Sequence, residues 1–260
     1  MQDLKNNTVA RRKAILQLLE SKNQIFVPEL SKEFGVSEVT IRNDLNQLEK
    51  KHMLIKVRGG AIKIEAPITL DQNVSEKSKL HYHEKILIGK KAVELIQDGE
   101  TILIDSGTTT MEVAKNMGEL KDITVLTHAL NIANYLTNFP EVHVIMLGGY
   151  LRKKSYSLIG PLAENSLKNF YVDKLIIGVD GFDLKTEGIY TTQLEEANLN
   201  RIMIENSQEV IVVTDSSKFN RRSYAFICEL DRIDKVVTDK KIMKEDKQSL
   251  LQTGIEVIAV

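Results

Sequence analysis

The sequence predicts an α/β protein of two domains: a small N-terminal domain of three helices and a β-hairpin, and a larger domain built on a mainly parallel sheet. Three observations carry this. Residues 28–45 place two narrow apolar stripes at helical spacing on either side of a three-residue turn. From residue 99 onward, short apolar runs that end in small or polar residues alternate with helical stretches. The charge is also divided: residues 1–64 hold 12 Lys and Arg against 7 Asp and Glu, net +5, and the remainder holds 23 against 29, net −6.

In the N-terminal part, Leu30 and Phe34 lie one helical turn apart, and Ile41, Leu45 and Leu48 follow at spacings of four and three. Pro28 suits a first helical turn, where its missing N–H costs nothing, and Gly35 permits a left-handed stop. Ser37 stands where an N-cap is wanted, its hydroxyl able to accept from a backbone N–H two or three residues on. With Ile41, Leu45 and Leu48 turned inward, the second helix presents Glu38, Val39, Arg42, Asn43 and Asn46. A face of that kind fits a DNA major groove, where Arg reads guanine and Asn reads adenine. A plain helical hairpin with a solvated charged face would show the same two stripes, so the flanks matter. Upstream, 11–19 predicts a further helix, with Ile15, Leu18 and Leu19 on one side and Arg11, Arg12 and Lys13 near its start. Downstream, 50–64 alternates around Gly59 and Gly60 and predicts two short strands and a tight turn. Three helices and a hairpin make a winged helix-turn-helix, with Lys56 and Arg58 on the wing as candidate phosphate contacts.

Residues 65–76 contain Pro67 and break the periodicity, so they predict a linker between a domain over 1–64 and one over 77–260. A helix is expected over 79–96. The strand pattern then places loops after 101–105, 123–126, 142–147, 174–177 and 210–213, with helices from Met111, over 130–136 and over 197–205. In a parallel sheet those loops gather beyond the carboxyl ends of the strands, where ligands bind.

The loop Asp105-Ser-Gly-Thr-Thr-Thr110 offers hydroxyls, a glycine and backbone N–H groups of the kind an anion such as phosphate requires. Gly148 and Gly149 allow close backbone approach, Lys218 could neutralise a phosphate, and Asp105 or Asp180 could accept from sugar hydroxyls. Each also has a plain structural reading: a helix cap, turn geometry, a solvated surface charge.

The spaced residues Arg11, Ile15 and Leu19, the block Ser37-x-x-Thr-Ile-Arg-x-Asp-Leu45 and the run Arg58-Gly-Gly-Ala61 resemble the DeoR-type bacterial transcription regulators. Asn43 stands where a second Arg is common, His52-Met53 where Gly-Leu is usual, and Arg58 where His is usual; these departures bear on the operator sequence. The resemblance extends to the larger domain, which is similar to the ribose 5-phosphate isomerase type of α/β fold and in that family senses phosphorylated sugars or related intermediates. It implies Arg12, Ser37, Glu38, Val39, Thr40, Arg42, Asn43, Asn46, Lys56 and Arg58 as DNA-binding residues. For the effector it implies Asp105, Ser106, Gly107, Thr108 and Thr109, then Gly148 and Gly149, then Gly178, Asp180 and Gly181, and finally Lys218. His128 departs from the Asn common after that Thr. The partners expected are operator DNA, a small phosphorylated sugar and a second copy of the chain, as homodimer or homotetramer; no cofactor or metal is called for.

Composition narrows the alternatives. No apolar run approaches the roughly 20 residues that span a bilayer, and the polar N-terminus is no signal peptide. A single cysteine, Cys228, excludes an internal disulfide and suits the cytoplasm. An enzyme acting on sugar phosphates would need a positioned base, for which Asp105, Asp180, Glu195 and Glu196 are available, although Glu195-Glu196 is more simply the polar start of a helix. His81-x-His83-Glu84 has metal-ligand types at close spacing but no distant partner, and reads as a solvated helix face.

Overall fold

The computed structural model describes residues 7–22, 24–50, 54–57, 59–62 and 72–260. Two compact units divide the chain, Met1–Pro67 and Ile68–Val260.

The smaller unit runs α1 (Thr8–Lys22), β1 (Gln24–Phe26), α2 (Val27–Phe34), α3 (Glu38–Lys50), β2 (Ile55–Val57) and β3 (Gly60–Ile62). The apolar spacing read from the sequence is the core: Ile15, Leu19, Leu30, Phe34, Ile41, Leu45 and Leu48 are all buried together. Pro28 lies in the first turn of α2, and Gly35 ends that helix at φ 64° and ψ 34°. The Ser37 hydroxyl accepts from the Thr40 N–H at 3.2 Å and so caps α3. The hairpin pairs Lys56 with Ala61 and Val57 with Gly60. A third strand joins it, because β1 pairs antiparallel with β3 through Ile25 and Ala61. Gly60 is required there for more than the turn, since a Cβ on it would lie 2.0 Å from the Ile25 carbonyl oxygen.

The larger unit opens with two helices, α4 (Val74–Lys77) and α5 (Tyr82–Val93). Part of the stretch read as linker is therefore helical, and the Val74 N–H donates to the Lys154 carbonyl at 2.9 Å. Seven strands follow in one sheet: β4 (Thr101–Ile104), β5 (Ile123–Thr127), β6 (Val142–Met146), β9 (Val172–Ile177), β12 (Ser207–Val213), β14 (Lys235–Thr238) and β15 (Glu256–Ala259). Their order is β15-β14-β12-β9-β4-β5-β6, and every neighbouring pair is parallel. Successive strand residues enter opposite cores. Leu103, Leu175, Ile177, Val210, Val212 and Val236 pack on one face. Ile102, Ile104, Ile176, Ile211, Val213 and Val237 pack on the other. Helices α6 (Thr108–Ala114), α7 (Leu130–Leu136), α8 (Pro161–Leu167), α9 (Leu194–Glu205) and α10 (Lys244–Gln252) complete the unit. Helix α6 begins three residues before Met111, so Thr108 and Thr109, read as loop, occupy its first turn.

Two antiparallel elements lie outside the sequence reading. One is the hairpin of β7 (Tyr150–Arg152) and β8 (Ser157–Ile159). The other is a three-stranded sheet of β10 (Gly181–Asp183), β11 (Gly188–Thr191) and β13 (Ala225–Glu229). Cys228 lies on β13, and burial pushes its thiol up to about 12, so it behaves as a small hydrophobe. Among the described residues no helix is long and apolar enough to cross a membrane.

Strand order reverses between β4 and β9: from β4 the chain builds outward through β5 and β6, then returns to lay β9 on the other side of β4. That is the point at which an open parallel sheet leaves a crevice for a ligand.

Candidate DNA-binding face and effector site

In α3, Ile41, Asp44, Leu45 and Leu48 are buried while Glu38, Val39, Arg42 and Asn43 are exposed, Val39 to 65%. The Arg42 guanidinium donates to the Glu38 carboxylate at 2.8 Å. Both side chains are solvated, so this pair contributes little to stability, and a base edge can compete for the arginine. Asn46 and Lys56 engage each other, the Lys56 ammonium donating to Asn46 Oδ1. The Lys56 N–H also donates to Glu49 at 3.0 Å, so the wing is fastened to the exposed helix. Arg58 lies outside the described residues.

Asp44 is a buried acid that takes two arginines. Only 2% exposed, it accepts from Arg11 Nε at 2.6 Å and from Arg12 Nε at 2.8 Å. Arg12, expected at the DNA, thus has its Nε committed to joining α1 to α3 in the free protein.

In the larger unit the loops after β4, β5 and β9 meet at the strand-order reversal. Asp105 is buried, and its carboxylate accepts from the Gly178 N–H at 3.3 Å and from Asn200 at 3.4 Å. His128, fully buried, holds this corner. Its Nδ1 lies 3.1 Å from the Leu158 carbonyl, which can only accept, so Nδ1 donates there. Its Nε2 then faces the Ser106 N–H at 3.1 Å and Asp105 Oδ1 at 2.9 Å. The Ser106 N–H, read as available to an anion, is engaged by His128. Beside Asp105, Thr110 Oγ1 and Asn200 Oδ1 are buried without a hydrogen-bond partner.

The second group is centred on Asp180. Its carboxylate accepts from Lys77 Nζ at 2.7 Å, lies 3.8 Å from Lys218 Nζ, and accepts from the Thr191 hydroxyl at 3.4 Å. Burial alone would raise this carboxyl, but Lys77 and Lys218 outweigh it and bring it down to about 2. Burial lowers Lys218 despite the attraction of Asp180. Lys218 closes a turn fixed by Asp215, which caps Ser217 at 3.1 Å, and by Asp239, which accepts from the Ser216 N–H at 2.7 Å.

Thr191 also reaches Glu196, at 3.5 Å, and Glu196 accepts from Arg152 at 2.6 Å, Ser155 at 3.0 Å and Ser157 at 3.1 Å. Glu196 is therefore the anchor of the β7–β8 hairpin as well as part of a helix start. Of the candidate glycines, Gly148 borders open space, whereas a Cβ on Gly149 would meet the Ile159 carbonyl at 2.8 Å and one on Gly181 the Arg221 carbonyl at 2.5 Å. Close packing of the chain against itself accounts for those two.

Sequence reasoning did not single out Lys77, Lys85, Arg152 or Asn200; it named Glu196 only as a spare acid or the polar start of a helix, and His128 only as a departure from the family pattern. Lys85 is 5% exposed and donates to the carbonyls of Lys77 at 2.6 Å and Leu80 at 2.7 Å. Burial brings its ammonium from 10.5 down to about 8. The folded chain then holds this proton less tightly than the unfolded chain, so stability rises as pH climbs from about 8 toward 10.5. Urea unfolding at pH 7 and pH 10 is expected to show a gain of about 2 kcal/mol for the wild type that Lys85→Met lacks. Equal pH dependence in the two proteins would contradict the burial cost.

Among the described residues no group of three or more His, Cys, Asp and Glu is placed to hold a metal. In the His81-x-His83-Glu84 run, Glu84 is taken by Lys241 at 2.5 Å.

A winged helix-turn-helix unit joined in one chain to a parallel α/β unit with paired charges at the strand-order reversal defines a DNA-binding regulator with a sensor. Residues 11–66 match the DeoR-like helix-turn-helix domain, and residues 80–240 match the DeoR C-terminal sensor domain. The chain is 42% identical over 254 residues to a protein of Escherichia coli O157:H7 provisionally described as an aga operon transcriptional repressor, covering 97% of this chain and 94% of that one. It is 33% identical over 245 residues to the transcriptional repressor GlcR of Bacillus subtilis, covering 94% and 93%. Among solved structures it is similar to ribose 5-phosphate isomerase A of Methanocaldococcus jannaschii, with a TM-score of 0.40, 19% identity, and 54% and 55% of the two chains covered. The chain belongs to the DeoR family of transcriptional regulators. It is a regulator, and on that ground the enzyme alternative is set aside.

Proposed function

We propose that this regulator represses an operon for carbohydrate use and leaves its operator when a phosphorylated sugar binds the larger unit. The carrying observation is the Asp180 group: at the strand-order reversal, a half-buried carboxylate able to accept from sugar hydroxyls stands beside Lys218 and Lys77, which can neutralise a phosphoryl group. Several relatives are named as repressors tied to sugars, among them the lactose phosphotransferase system repressor of Staphylococcus epidermidis. The mechanism is linkage, since an effector that prefers the arrangement unable to bind DNA weakens operator affinity by that difference. One small winged helix reads few base pairs, so the active form is a symmetric dimer or tetramer acting on a palindrome in the cytoplasm.

The test is fluorescence anisotropy on DNA from upstream of the adjoining genes, titrated with pentose and hexose phosphates and with the free sugars. Release is expected with a phosphorylated sugar and not with its free counterpart. Lys218→Ala should bind the DNA within about twofold of wild type and lose release; a variant that releases normally would remove Lys218 from the site.

A further inference from the structure

Lys77 reaches the effector site from an unusual direction. It ends α4, the first described helix of the larger unit, which follows along the chain the stretch leading from the DNA-binding unit. No residue of Val74–Lys77 is buried, so apolar packing does little to hold this helix. Polar contacts hold it: the Val74 N–H on the Lys154 carbonyl at 2.9 Å, Lys77 Nζ on Asp180 at 2.7 Å, and the buried Lys85 ammonium on the Lys77 and Leu80 carbonyls at 2.6 and 2.7 Å. Two of these three ties lead into the candidate site. Asp180 is part of it, and Lys154 sits in the hairpin that Arg152 ties to Glu196.

In the free protein one carboxylate serves two ammonium groups, Lys77 at 2.7 Å and Lys218 at 3.8 Å. While Lys77 donates to Asp180 Oδ1, one of that oxygen's two acceptor positions is taken. A phosphoryl dianion carries more charge than the single carboxylate and can draw both ammonium groups to itself. The exchange returns an acceptor position and an uncompensated negative charge on Asp180 to the sugar hydroxyls. A ligand bearing phosphate and hydroxyls thus uses both halves of the pair that it separates, whereas a free sugar lacks the group that displaces Asp180.

We propose that Lys77 is an anion-binding residue of the effector site, and that its change of partner from Asp180 to the effector's phosphoryl group passes occupancy to α4 and the chain leading to the DNA-binding unit. This rests on the effector reading above. The strength of α4 docking then reports the state of the site, as expected for a segment with few buried contacts and a low cost of local opening.

The experiment uses the full chain and inorganic phosphate as the probe, at constant ionic strength with chloride as the control. Phosphate binding is followed by calorimetry, and backbone hydrogen exchange over 74–80 is followed by mass spectrometry. In the wild type, phosphate is expected to speed exchange over 74–80 several-fold. Lys77→Met should weaken phosphate binding at least tenfold, exchange quickly over 74–80 without ligand, and respond no further to phosphate. Lys77→Arg should bind phosphate within about threefold of wild type, and Lys218→Ala should lose phosphate binding while keeping wild-type exchange over 74–80. Lys77→Met binding phosphate within twofold of wild type, or wild-type exchange over 74–80 unchanged by bound phosphate, would overturn the assignment and leave the effector site standing. A wild type that binds no phosphate would overturn the effector reading itself.

Discussion

Asp44→Ala is expected to unfold the smaller unit at temperatures where the larger one stays folded. Asp44 is 2% exposed and carries both Arg11, at 2.6 Å, and Arg12, at 2.8 Å, across from α1. Removing the carboxylate breaks a buried ion pair and takes away the acceptor of both Arg11 Nε and Arg12 Nε, a change that typically costs about 3–5 kcal/mol. A unit of roughly 60 residues has about that much stability in total. Circular dichroism melts should therefore show the transition of the smaller unit lost or moved far down, with the other unchanged, and DNA binding abolished. Asp44→Asn keeps the shape and should still lose most of that stability. A shift worth less than about 1 kcal/mol in either variant would show that the clamp is not what holds α1 to α3.

Arg42→Ala should act on recognition and leave the fold alone. Its pair with Glu38 is solvated on both sides, so stability should change by less than about 0.5 kcal/mol. If Arg42 makes a bidentate contact to guanine, its loss should cost about 1–3 kcal/mol, some 5- to 150-fold, on the operator and relax preference at one position. Lys56→Ala should instead weaken operator and scrambled duplex alike and reduce the salt slope by about 1, because a phosphate contact carries no sequence information. It should also loosen Asn46, which Lys56 holds in the free protein. Anisotropy with both duplexes at several salt concentrations separates the cases. An equal loss on both duplexes for Arg42→Ala would mean that it touches backbone rather than base.

The features legible beforehand share a physical cause: each is decided by residues within one or two turns of one another. Leu30, Phe34, Ile41, Leu45 and Leu48 announce two helices because their spacing is the helical repeat, and all five are buried. Gly35 and Ser37 announce the stop and the cap because a left-handed residue and a side-chain acceptor are local needs. The strand-and-helix alternation located the five strands read in advance, since a strand covered on both faces is an apolar run. Strand β1 gave no such sign: three residues are too few to alternate, and they form a strand because Gly60, 35 positions away, lets the Ile25 carbonyl approach.

The candidate site was legible in its loops and not in its contacts. Asp105, Asp180 and Lys218 stand at strand ends, where the alternating pattern alone places them. Lys77 lies 103 positions from Asp180, and Arg152 lies 44 from Glu196, so neither pairing leaves a mark on the local sequence. A demand on two glycines was illegible for the same reason, since Gly149 and Gly181 admit backbone that approaches from β8 and from the segment before β13. By itself, then, the sequence determined the class of each unit, the cationic end of the chain and the exposed face of α3, all of them short-range or summed properties. Only the tertiary structure decided which charges are paired. Whether Arg12 meets a phosphate or Asp44, and whether Asp180 meets a sugar or Lys77, depends on which distant elements the packing of each unit brings within 3 Å.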